Sequence, residues 1–220
     1  MGQMKTYMKY CLAAFCYLIS LQCASQKKEI ISKSTIKLEG KDTNIRDLID
    51  IDGYYQNMDY SKIMLFEDGI YVDQFFFKQG LSKSEIQENM SKSLYCGVEN
   101  KKKYWGFHWG VYKIVEDTII VHHYLRGSWW TPWYADEIRY KIIDRTTIQP
   151  IYSRDLRQSE EQYYKEYNKS SWIKNGDVFY FTPAHSLPSS DCWLKEEKWI
   201  WRNESDWKAY MEKIKTDKKK

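Results

Sequence analysis

Four histidines, His108, His122, His123 and His185, are the side chains best placed to carry a proton or a metal ion near neutral pH. Two are adjacent, and neighbours on a strand project to opposite faces, so His122 and His123 cannot readily chelate one ion. His108 could join one of them across a hairpin, but the simpler reading is structural, and no metal or other cofactor is expected. Acid–base chemistry would need carboxylates converging on an imidazole, as if His123 met Asp136 or Glu137 at the rim of a fold. Glu160-Glu161 and Glu196-Glu197 are neighbours in sequence, whereas catalytic carboxylate pairs face each other across a cleft. Phosphate loops, GxSxG, HExxH, calcium loops and dinucleotide fingerprints are absent from the 220 residues. The chain therefore reads as non-catalytic.

The densest feature is aromatic: 10 Trp, 19 Tyr and 8 Phe make 17% of the chain. Rings concentrate in Tyr104, Trp105, Phe107 and Trp109, and in Arg126-Gly127-Ser128-Trp129-Trp130-Thr131-Pro132-Trp133-Tyr134. Gly127 and Pro132 make the second stretch a loop. Indole and phenol rings offer flat apolar faces with a polar edge, suited to an apolar, aromatic or glycan ligand. The candidate ligand-binding residues are Trp105, Trp109, His123, Arg126, Trp129, Trp130, Trp133 and Tyr134, with Arg126 free to fix an anionic group. The competing reading has these rings fill the core, leaving an envelope protein that works by contact with a protein partner.

The elements that must position these residues are mostly strands. Glu67-Asp68-Gly69 separates two β-rich runs, a strong hairpin signal. Further hairpins turn at Glu116-Asp117, Asp144-Arg145 and Asn175-Gly176, and Ile138, Tyr140 and Ile142 alternate with Arg139 and Lys141, as on a strand with one face in the core. Trp199-Ile200-Trp201 is a candidate closing strand. Ser82 and Glu85 spell a capping box ahead of an apolar stripe, Ile86, Met90 and Leu94. Trp207, Tyr210, Met211 and Ile214 give a C-terminal helix one apolar face. About nine strands in successive hairpins predict an antiparallel up-and-down β-barrel or highly curved sheet.

Gly53-Tyr54-Tyr55 opening the first strand, the hairpin series and the late amphipathic helix resemble the lipocalin-like barrels of the bacterial cell envelope. Tyr55 stands where lipocalins usually carry Trp, and the helical insertion after the first hairpin is additional. The resemblance covers roughly residues 50–215 in layout and implies a cup for a small ligand.

Residues 1–25 read as an export signal: Lys5 and Lys9, an apolar stretch over 11–21, then small residues. Cleavage after Ser25 would release the protein, and lipidation of Cys23 would anchor it, the only membrane attachment expected. Either route places it outside the cytoplasm, in the envelope or secreted. Residues 26–44 are polar and lysine-rich and read as a flexible tether, 45–216 as one β domain, and 217–220 as a disordered basic tail. Cys96 and Cys192 can pair or remain two buried thiols. The formal charge of +4 lies in the leader and the tail, so nucleic acid is not an expected partner.

Overall fold

A computed structural model describes residues 24–41, 43–95, 108–125, 133–159, 161–162 and 177–217. Eight antiparallel strands close into a barrel in chain order: β1 (Gly53–Gln56), β2 (Lys62–Leu65), β3 (Ile70–Asp73), β4 (His108–Val115), β5 (Thr118–Leu125), β6 (Tyr134–Asp144), β7 (Thr147–Asp155) and β8 (Phe179–Pro183). This is the up-and-down layout of a lipocalin-like barrel. Gly69 turns the β2–β3 hairpin at φ +86, a conformation that glycine adopts without strain. The β4–β5 turn relies instead on Glu116 at φ 55. Closure falls to β8, which pairs with β1 from Gly53 opposite Pro183 to Gln56 opposite Tyr180. A Cβ at Gly53 would sit 2.1 Å from the Thr182 carbonyl oxygen, so only glycine admits this approach. The expected closing strand at 199–201 is absent: Lys198–Ile200 is a 3-10 turn and Trp201 makes a single parallel bridge to Leu38.

Two apolar clusters follow from strand alternation. The inward-facing set draws on every strand, including Tyr55, Leu65, Tyr71, Tyr112, Val121, Tyr140, Ile148 and Phe179, so the middle of the barrel is filled by its own side chains. Ile45, Ile49 and Ile51, in and after a 3-10 turn at Ile45–Asp47, join that cluster and plug one end. The outward-facing set, including Met64, Val72, Trp109 and Tyr124, packs beneath helices and the N-terminal segment.

Those helices are α1 (24–33), α2 (Lys83–Glu88), α3 (Met90–Ser93), α4 (Trp193–Glu196) and α5 (Glu204–Asp217). The capping box forms: Glu85 N–H donates to the Ser82 hydroxyl, and the Glu85 carboxylate accepts from Ser82 N–H. The stripe read as one helix breaks at Asn89, whose side chain accepts from Lys92 N–H and starts α3. On α5, Tyr210 and Ile214 are buried as their spacing predicts. The segment 26–44, expected as a tether, instead packs on the barrel: Ile30, Ile36 and Leu38 are buried, and Leu38 exchanges 2.8 Å backbone hydrogen bonds with Ile200 and Arg202. Its lysines do not oppose this, since their stems lie along the surface while the amines reach partners, Lys27 to Glu197 at 3.1 Å and Lys37 to the Trp199 carbonyl at 2.8 Å.

Candidate functional site

At the end of the barrel opposite the isoleucine plug the inward-facing positions turn polar. Register puts them side by side: Asp73 opposite His108, Tyr71 opposite Gly110, Gly110 opposite His123, His123 opposite Asp136, and Asp136 opposite Asp155. Directly opposed residues share a face, so five consecutive strands, β3 to β7, send these groups into one space. Gly110 is the gap that lets them meet. A Cβ there would lie 2.7 Å from the His122 carbonyl oxygen and 3.2 Å from the Tyr71 ring, and the rings of Tyr71 and His123 pack edge-on at 6.3 Å across it.

Asp73 is the centre of the group. Its Oδ2 accepts from the Tyr71 hydroxyl at 3.1 Å, and Tyr71 is hydrogen-bonded in turn to the Tyr140 hydroxyl at 3.0 Å. Its Oδ1 lies 3.3 Å from His108 Nδ1 and 3.7 Å from His123 Nε2. His123 Nδ1 is 3.7 Å from Asp136 Oδ2, and the two imidazoles stack at 4.8 Å. None of these imidazole–carboxylate approaches has hydrogen-bond geometry: Asp73 Oδ1, His108 Nδ1 and both nitrogens of His123 are buried without a partner. A buried polar atom left in that state costs about 1–3 kcal/mol, so four of them in one cluster is an expensive arrangement for packing alone. Burial is the largest single influence on His123 and disfavours its charged form, but Asp73 and Asp136 together outweigh it and raise the pKa. Burial, reinforced by the Asp73 charge, drives the Tyr71 hydroxyl well above its ordinary pKa, which keeps it a donor to Asp73.

The next residues along the strands face outward and form a separate group. His122 lies opposite Glu137, and Glu137 opposite Arg154. Glu137 pairs with Arg139 and with Arg154 at 3.1 Å, and lies 3.8 Å from His122. Burial would raise its pKa, but those three partners hold it down at about 2. Here the charges are compensated within the cluster.

No family model, curated protein or solved structure matches the chain.

Of the candidate ligand-binding residues, His123 is buried in the inward-facing cluster and Tyr134, 38% exposed, begins β6 beside it. Trp109 is fully buried in the outward-facing shell and so packs between barrel and helices. Trp133 packs edge-on against Trp193 at 5.6 Å, with the Lys27 amine 4.6 Å above its ring. Trp105, Arg126, Trp129 and Trp130 lie outside the described residues, as do Cys23 and Cys96. Cys192 carries a free, fully buried thiol, its pKa pushed up to about 12 by burial. His122 and His123 do face opposite ways, and His108 joins His123 across the β4–β5 hairpin, the pairing for which a structural reading was the simpler expectation. The structure instead brings Asp73, His108 and His123 together, each offering a ligand atom within 4.8 Å of the others. Asp73 was missed in the sequence reading. Its only local sign is its place two residues after Tyr71, on the same face of β3.

Proposed function

We propose that the protein is a binding barrel, exported to the envelope or beyond, which takes a small ligand at the end lined by Asp73, His108, His123 and Asp136. One observation carries this reading: four buried nitrogen and oxygen atoms in that space lack hydrogen-bond partners, while apolar side chains occupy the middle of the barrel and plug its other end. The ligand implied is one that brings positive charge or hydrogen-bond donors, such as a cation or a glycan hydroxyl. Tyr55, Tyr112 and Phe179 belong to the buried cluster in the middle of the barrel, which speaks against a purely apolar ligand there. Three grooves among the described residues, of about 570, 390 and 250 Å³, are lined by other residues than His123, Trp109 and Trp133.

The test is native mass spectrometry of the full protein purified from its host envelope, compared with His123→Ala. A small-mass adduct in the native protein that vanishes in the variant is the expected result. No adduct on either protein, or the same adduct on both, would remove the reading. A stoichiometric protein partner in place of an adduct would favour the contact reading, which draws on exposed Met58, Tyr60 and Tyr180 around the 390 Å³ groove. The same denatured mass reports the leader: a chain beginning at Gln26, or a diacylglyceryl group on Cys23.

A further inference from the structure

We infer that the ligand of this site is a divalent transition-metal ion of the zinc type, held by Asp73, His108 and His123. The inference rests on the binding-barrel reading and deepens it by naming the ligand. Metal bonds of about 2.0–2.2 Å to nitrogen and oxygen place neighbouring ligand atoms about 3.3–3.5 Å apart on a tetrahedron. Asp73 Oδ1 lies 3.3 Å from His108 Nδ1 and 3.7 Å from His123 Nε2, and the whole set falls within 4.8 Å. The two distances from Asp73 Oδ1 are close to those of atoms sharing an ion, and the widest pair, up to 4.8 Å apart, closes by roughly 1 Å on binding; all three atoms are buried without a hydrogen-bond partner. His123 as a residue is 5% exposed, so its ring nitrogens cannot turn to bulk water for partners.

The surrounding groups have the arrangement that tunes metal ligands. A ligating histidine typically donates its other N–H to a carboxylate, and Asp136 Oδ2 stands 3.7 Å from His123 Nδ1. A ligating carboxylate is itself hydrogen-bonded, and the Tyr71 hydroxyl donates to Asp73 Oδ2 at 3.1 Å. Asp73 and His108 each keep 16% of the side chain exposed, which gives an ion a way in. Two imidazoles and one carboxylate suit zinc and its divalent neighbours over calcium or magnesium, which prefer all-oxygen sites. Three protein ligands leave one tetrahedral position for water or a second ligand.

The experiment strips the full-length protein with a chelator and titrates it with zinc chloride alone by calorimetry, with cobalt(II) as an optical probe. The expected result is one ion per chain at micromolar affinity or tighter, and a cobalt spectrum typical of four-coordination. His108→Ala and Asp73→Asn, the second nearly isosteric, should each weaken binding at least thirtyfold while far-UV circular dichroism is unchanged, and His123→Ala should abolish it. His185→Ala, on an exposed histidine outside the site, should bind as the native protein does. Zinc binding weaker than millimolar, or equal in the native protein and the ligand variants, overturns the inference. Should zinc fail while an organic adduct is still lost in His123→Ala, the metal assignment falls and the binding barrel stands; loss of both signals removes both.

Discussion

Glu137 and His123 show how one residue step along a strand separates two kinds of chemistry. On the outer face the Glu137 carboxylate is neutralised by Arg139 and Arg154, and its pKa falls from an ordinary 4.5 to about 2. A carboxyl with a depressed folded pKa stabilises the fold fully above its unfolded value, and that contribution disappears as pH falls through the folded one. Urea unfolding should therefore show native stability declining between pH 4.5 and 2. Glu137→Gln should be less stable at pH 7 by about 2 kcal/mol, a figure discounted because Arg139 is part-exposed, and the difference should close near pH 2. A gap between the two proteins that is constant with pH would refute the linkage. Residue alternation was legible in the sequence, and it correctly separated His122 from His123. The partner of His123 was not, because the β3–β4 pairing that brings in Asp73 spans a 34-residue connection that periodicity cannot register.

Among the elements, α1 departs furthest from its composition. Lysines dominate residues 26–44, yet Ile30 is wholly buried against the outer face of the barrel. Ile30→Ala should cost about 2–5 kcal/mol, the range for a buried aliphatic side chain cut to alanine, whereas a tether residue would cost nothing. Thermal melts of the two proteins decide between these. The hairpins at Asp68-Gly69, Glu116-Asp117 and Asp144-Arg145 could be read directly because turn chemistry is local. The docking of α1 could not, since Ile30, Ile36 and Leu38 share a cluster with Met90, Leu194 and Ile200, and Leu38 bonds Ile200 and Arg202, all far along the chain. For the same reason Trp199-Ile200-Trp201 has strand composition but ends as a turn: Trp199 donates to Glu197 and Trp201 to the Lys195 carbonyl, satisfying the indoles locally.

At the scale of the molecule, closure depends on one close approach, β1 against β8 at Gly53. Gly53→Ala would place a methyl inside contact distance of the Thr182 carbonyl, an overpacking against backbone that should cost about 3 kcal/mol or more. Amide exchange should report the loss first at Tyr55 and Phe181 and only later at the β5–β6 pair; uniform acceleration across all strands would count against a local seam. The barrel itself is legible in the hairpin series and a filled interior is one of the two readings the aromatic residues allow, but which end is polar depends on register. The docking of α1 also bears on how the protein would stand on a membrane. A flexible segment of 26–44 would let the domain wander roughly 25 Å from a lipidated Cys23. With α1 packed, Lys27 lies over Trp133, the residue before β6 at the polar end, and the four residues from Lys27 back to Cys23 can reach no more than about 14 Å. A lipid on Cys23 would then moor the Asp73–His123 end within a short reach of the headgroups, where a loose segment would let it drift.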